Sequence, residues 1–99
     1  MVKPLSHEAF VEELLSDPEV RAEYDRLETE FSLLREILKA RKSAGMTQAQ
    51  VADRMGTQQA SIARLENGLA SGNLPSLSML KRYADAVGRK LQIRFVANR

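Results

Sequence analysis

Apolar side chains recur at helical spacing along most of this chain. Phe10, Val11, Leu14 and Leu15 share one face of a short first helix that Ser6 can N-cap. Asp17-Pro18-Glu19 then brings together a capping carboxylate, a proline suited to the first helical position and an acid suited to the positive helix start. Val20, Tyr24, Leu27, Phe31, Leu34 and Leu38 follow at alternating spacings of four and three, which keeps one stripe on one side. Leu33, Ile37, Ala40 and Ala44 widen that stripe before Gly45, the expected C-cap. The pattern predicts one continuous helix from Pro18 onward, about 40 Å long at the usual rise per residue. Its first half is too long to rest on so small a core. That half needs another surface.

Shorter elements follow. Thr47 is expected to cap a helix over Gln48–Met55, with Val51, Ala52 and Met55 inward, and Gly56 makes the turn. Thr57 is expected to cap the next helix, and Asn67-Gly68 to end it. LASGNLP, 69–75, reads as loop. Ser76 starts a helix whose Leu77, Leu80, Tyr83, Ala84 and Val87 run at helical spacing to Gly88. KLQIRFV, 90–96, alternates instead, with Leu91, Ile93 and Phe95 on one face and Lys90, Gln92 and Arg94 on the other. That is a strand pattern. A lone strand leaves its backbone groups unpaired, so it should pair with the same strand of a second copy or with a partner's sheet edge.

The stretch GTQQASIARLENG, 56–68, carries the most informative chemistry. Ile62 and Leu65 point at the core, while Ala60, Ala63, Arg64 and Asn67 fall opposite and Gln58 and Gln59 project from the first turn. Small alanines let the backbone approach a groove. Glutamine can bond bidentately to adenine and arginine to guanine. Thr47 and Gln48, at the start of the preceding helix, can hold phosphate together with free backbone N–H groups. Helix, tight turn and helix make a helix-turn-helix, with the second helix as reader. The plainer alternatives are solvated surface glutamines, and an Arg64 paired with Glu66 or a neighbouring helix.

Charge sharpens the division of the chain. Residues 1–36 hold ten acids against four bases, a net −6, and residues 37–99 hold eleven bases against three acids, a net +8. A polyanion suits the second part and a basic partner the first, unless the acidic helices are simply solvated. Cysteine is absent, which excludes disulfides and thiolate metal sites and fits a reducing cytoplasm. No apolar run approaches the ~20 residues of a membrane span, and the first ten residues lack the apolar region of a secretion signal. His7 is the only histidine and no Gly-rich phosphate loop follows a strand, so neither enzyme chemistry, a cofactor, a metal nor a small-molecule substrate is expected.

MTQAQVADRMGTQQASIARLENG, with LPSLSMLKRYADAVG after it, resembles the helix-turn-helix of the phage-repressor (Xre/Cro) family over about Arg35–Gly88. The resemblance implies a mainly α, lambda-repressor-like domain in which Gln58, Gln59, Ala60 and Arg64 read bases. Gln48 and Asn67 fall at phosphate-contacting positions, and Thr47, Thr57 and Ser61 complete that candidate set. Loop 69–75 departs from the family in its length and in lacking lysine or arginine, so phosphate binding there falls to backbone N–H groups, Ser71 or Asn73.

The flanks are similar to those of HigA-type antitoxins. That resemblance implies a cytoplasmic homodimer that binds operator DNA, represses its own operon and occupies a small basic RelE/HigB-like mRNA-cleaving toxin. Three parts follow: an acidic helical extension (1–34) that binds the partner, a DNA-binding domain (35–88) and a dimerising strand (89–99). Phe10, Leu14, Leu15, Val20, Tyr24 and Leu27 are the candidate toxin anchors, and Leu91, Ile93 and Phe95 the candidate dimer contacts. The anchors could equally pack on their own domain or on a second protomer. A stand-alone dimeric repressor of the same family, without a toxin, is the rival reading. An interaction module that has lost DNA binding is the third, and Gln58, Gln59 and Arg64 argue against it.

Overall fold

Helices account for nearly all regular structure in the computed structural model, which describes residues 12–97. The expectations for Ser6, His7, Phe10 and Val11 lie outside the described residues. Residues 12–15 are helical. They lead to α1 (Pro18–Arg26), α2 (Glu28–Ser43), α3 (Gln48–Met55), α4 (Gln59–Ala70) and α5 (Leu77–Ala86). Asp17 caps α1 as its sequence requires: its carboxylate accepts from the Glu19 N–H at 2.9 Å, with Pro18 in the first helical position.

The long helix expected from Pro18 onward is broken at Leu27. There φ and ψ are −101° and 12°, and the Leu27 N–H is shared between the Glu23 and Tyr24 carbonyls. Helix α2 then begins with no side-chain cap. A tertiary contact accompanies the break. Leu27 packs so closely on Gly72 that a β-carbon there would stand 2.7 Å from Leu27 Cδ2. Across the break the Tyr24 and Phe31 rings meet at a centroid distance of 5.6 Å.

The core is built by α2 to α5. Ile37 of α2, Val51, Ala52 and Met55 of α3, Ile62, Leu65 and Leu69 of α4, and Leu80, Tyr83 and Ala86 of α5 with Val87 form one buried cluster. Helix α4 packs against α3 and α2, and α3 also packs against α5. Two arginines tie the C-terminal ends of α3 and α5 together. Arg54 donates to the Ala86 carbonyl and Arg82 to the Met55 carbonyl, acceptors that helix ends leave without intrahelical partners.

Each of α2 to α5 ends the same way. Gly45, Gly56, Gly72 and Gly88 have positive φ, and the next N–H reaches back five residues, as from Thr57 to Ala52 at 2.9 Å and from Asn73 to Gly68 at 2.7 Å. This places the end of α4 later than Asn67-Gly68 suggests. Gly68 is helical, the helix runs to Ala70, and the connection to α5 shortens to 71–76. Burying Leu69 is worth roughly 1.5–3 kcal/mol, more than the ~1 kcal/mol that a helical glycine costs. The helix therefore continues through Gly68.

Two further expectations are corrected, and the strand expected at 90–96 is not formed by the chain alone. Leu77, in the first turn of α5, is 60% exposed, because the buried face of the helix is centred on Leu80, Tyr83 and Ala86 and Leu77 lies at its edge. Leu38 and Ala44 are exposed on the outer side of α2. Residues 88–97 form neither helix nor strand in the single chain. Leu91 is half-buried against the core, whereas Ile93, Phe95 and Val96 are exposed. A cleft of about 370 Å³ lies between α2, α5 and residues 89–92.

The two glycines on either side of α4 should respond differently to a methyl group. Gly56→Ala meets nothing within 4 Å, so its cost is the left-handed backbone alone, about 1 kcal/mol. Gly72→Ala adds the collision with Leu27 and should cost more. Denaturant unfolding of the double variant Leu27→Ala/Gly72→Ala should recover that excess. Equal costs at both glycines would show that the end of the Leu27 side chain swings clear of the added methyl group.

Candidate nucleic-acid interface

The candidate reading surface is assembled from the N-terminal ends of α3 and α4. Thr47 begins α3 with a reciprocal cap: its hydroxyl accepts from the Gln50 N–H at 3.1 Å, and the Gln50 carboxamide oxygen accepts the Thr47 N–H at 2.8 Å. The chain then turns at Gly56. Thr57 was expected to cap α4, but its N–H belongs to the end of α3, where it donates to Ala52. Gln58 is the capping residue instead, in extended conformation and with no side-chain bond to the helix.

The predicted base-reading residues share one exposed surface. Gln58, Gln59 and Ala60 are exposed at the first turn of α4, and Arg64 is exposed one turn later. Of the predicted phosphate set, Thr47 and Asn67 are exposed and Gln48, Thr57 and Ser61 are half-buried. Opposite them Ile62 and Leu65 are buried, at 0% and 7% exposure. The structure brings Gln48 and Gln59 into contact, with Gln59 Nε2 donating to Gln48 Oε1 at 3.5 Å.

Glu66 departs from the surface role considered for it. It is 5% exposed and makes no pair with Arg64; among the described residues Arg64 has no ion-pair partner. Both Glu66 oxygens are filled. Oε2 accepts from Arg41 Nε at 3.0 Å and from the Tyr83 hydroxyl at 2.8 Å. Oε1 accepts from Arg41 Nη2 at 3.1 Å and from Gln48 Nε2 at 3.0 Å. One carboxylate on α4 thus gathers donors from α2, α3 and α5. Burial works to lower the Arg41 pKa, but the hydrogen bond and charge of Glu66 outweigh it and leave it raised. Tyr83 is also pushed above its ordinary value, first by burial and then by its bond to Glu66 and the charge there.

Nothing in composition flagged this cluster, yet a local signal existed. Glu66 follows Ile62 by four and Leu65 by one, which places it on the inner flank of α4. The candidate partner-binding residues lie elsewhere. Leu14 and Val20 are exposed, Leu15 and Tyr24 are half-buried, Leu27 rests on Gly72, and Phe10 is outside the described residues.

The sequence model of the helix-turn-helix family matches residues 37–93, more than half the chain, and covers the whole surface just described. A helix-turn-helix of the Xre/Cro kind is therefore present, with the DNA-binding and transcription-regulating role that the family carries. No curated protein and no solved structure matches the chain. Among the described residues, no helix is long and apolar enough to cross a membrane.

Glu66→Ala should be the most damaging single change on α4. It strands three donor side chains, and removing one partner of a buried pair costs about 3–5 kcal/mol. The 22% exposure of the Arg41 side chain lets water reach it and holds the loss near the lower figure. Tyr83→Phe removes one bond to a charged group, about 1.5 kcal/mol. It also changes the pH response. Because the folded-state pKa of Tyr83 is raised, its contribution is complete below the ordinary tyrosine value near 10 and is lost as pH rises from there. Alkaline unfolding curves above pH 10 should therefore be shallower for Tyr83→Phe than for the parent.

Proposed function

The chain belongs to the helix-turn-helix family, and from that premise we propose that it is the DNA-binding antitoxin of a type II toxin–antitoxin pair. In this reading it acts as a homodimer, represses its own operon, and neutralises a small basic RelE/HigB-like mRNA-cleaving toxin through its N-terminal helices. One observation carries the proposal. Among the described residues the domain core draws nothing from before Leu33, yet the preceding residues form an acidic, apolar-striped helical arm. An arm that the domain does not need for its core is available to a partner. Its charge suits the basic surface of a protein that grips RNA, and exposed Leu14 and Val20 supply apolar anchors.

The DNA half of the proposal rests on the reading surface. Gln58 and Gln59 offer paired donors and acceptors to adenine edges, and Arg64 offers a fork to guanine. Ala60 keeps the approach low. Dimerisation is supported by the exposed Ile93, Phe95 and Val96, whose alternating segment has unpaired backbone groups to offer a second copy. The cleft beside Leu91 provides apolar surface next to that segment.

A stand-alone dimeric repressor is favoured by a different observation. Leu27 on Gly72 and Tyr24 on Phe31 show part of the apolar stripe satisfied within the chain. Purification of the tagged protein from its own host separates the two. A stoichiometric small basic protein that arrests growth when expressed alone supports the antitoxin; a clean homodimer bound to upstream DNA supports the repressor.

Point variants should divide the two functions. Arg64→Ala should weaken operator binding by about 1–3 kcal/mol and leave partner binding unchanged. Leu14→Asp combined with Val20→Asp should do the reverse. Unchanged operator affinity in Arg64→Ala would remove Arg64 from the reading surface, and a partner still held by the double variant would move its site off the arm.

A further inference from the structure

We propose that Glu66, which does not reach the DNA, sets the direction in which the Gln59 amide faces a base pair. This rests on the DNA-reading function proposed above. The reasoning depends on which groups can donate. A carboxylate only accepts, so the contact between Gln48 and Glu66 at 3.0 Å must be made by the Gln48 NH2 group. Gln48 Oε1 is thereby turned away from Glu66. That oxygen also only accepts, so Gln59 must meet it with its own NH2 group, as it does at 3.5 Å. Gln59 is left with its Oε1 and one N–H for the groove.

Those two groups complement the adenine edge, where N6 donates and N7 accepts. A glutamine free to rotate by half a turn offers the same pair in reversed order. Here the reversal is opposed. Turning Gln59 over sets its Oε1 against Gln48 Oε1, with no proton between them. Turning Gln48 as well sets an amide oxygen against the Glu66 carboxylate. Glu66 cannot yield, because Arg41 and Tyr83 hold it and its acceptor positions are filled. The chain of bonds gives the reading amide one orientation, and one orientation distinguishes A·T from T·A. Glu66 is in this sense a positioning residue for Gln59.

The test uses the full chain and duplex DNA. Selection from randomised duplexes gives the preferred site, and Gln59→Ala identifies the base pair whose preference depends on Gln59. Affinities of the parent, Gln48→Met and Glu66→Gln are then measured on that site and on the site with this one base pair inverted. Gln48→Met removes the relay while leaving Glu66 bound to Arg41 and Tyr83, so folding is retained and checked by thermal melting. In Glu66→Gln the new amide can donate as well as accept, which frees Gln48 to reverse.

The parent should prefer one orientation of the base pair by about tenfold or more, within the range of a good bidentate contact. In both variants that ratio should fall to a few-fold, while preferences at base pairs read by Arg64 persist. If Glu66→Gln alone does not fold, the double variant Glu66→Gln/Arg41→Met, which removes the buried charge together with its counter-ion, takes its place. A uniform loss of affinity with the ratio intact would reduce Gln48 to a phosphate or structural contact and overturn the proposal. A parent without any site preference would instead overturn the DNA-reading function, and this proposal with it.

Discussion

A buried carboxylate is the constraint on which the domain turns. Taking a charge out of water costs several kcal/mol even after relaxation, and the cost is met only when the acceptor positions are filled with good geometry. Glu66 meets that condition with donors from three separate helices. The requirement works in both directions. Arg41, Gln48 and Tyr83 stabilise the charge, and the charge fixes where α2, α3 and α5 must stand around α4. Apolar packing alone tolerates sliding and repacking of similar side chains. A saturated carboxylate does not, so the network specifies one arrangement where Ile62, Val51 and Leu69 supply most of the driving force.

The same helix is therefore divided by function along its faces. Its inner face carries Ile62, Leu65, Glu66 and Leu69, each buried, and a change at any of them disturbs packing. Its outer face carries Gln58, Gln59, Ala60 and Arg64, exposed and uninvolved in the core. Substitutions on that face alter what the surface can bond without disturbing the core. The candidate reading residues can vary while the fold persists. Gln48 belongs to both sides, because one end of its amide answers to Glu66 and the other to Gln59.

Much of this was legible in the residues, and what was hidden has identifiable causes. Asp17-Pro18, the Thr47 cap with its Gln50 return bond, Gly56 and Ser76 all behave as their local chemistry requires. Each is decided within a few residues, where capping bonds act. The break at Leu27 could not be seen that way, because the apolar stripe passes through it without interruption and the residue Leu27 packs on, Gly72, is distant in sequence. Asn67-Gly68 looked like a stop, although Leu69 continued the spacing of Ile62 and Leu65 and its burial decided the matter. Leu77 shares its spacing with Leu80, and only the position of the buried face, centred on Leu80, Tyr83 and Ala86, separates the exposed residue from the buried one. Glu66 was hardest, since a charged residue is ordinarily assigned to the surface and the three groups that bury it come from other helices.

The charge layout bears on how such a surface can discriminate. Its predicted base-reading set includes one formal cation, Arg64, while the glutamines contribute dipoles. Net charge attracts any DNA, and its effect falls with salt. Dipoles contribute little to that attraction, but they distinguish donors from acceptors, which is what a base edge presents. An amide has two ends of nearly equal shape and opposite chemistry, so its value as a reader depends on being held in one direction. Water cannot hold it, because water donates and accepts with equal ease. A buried carboxylate can, since it accepts and never donates. In this domain the group that organises the fold also supplies that asymmetry. On the proposed reading, stability and discrimination are joined at Glu66, whereas at Arg64 they are separable.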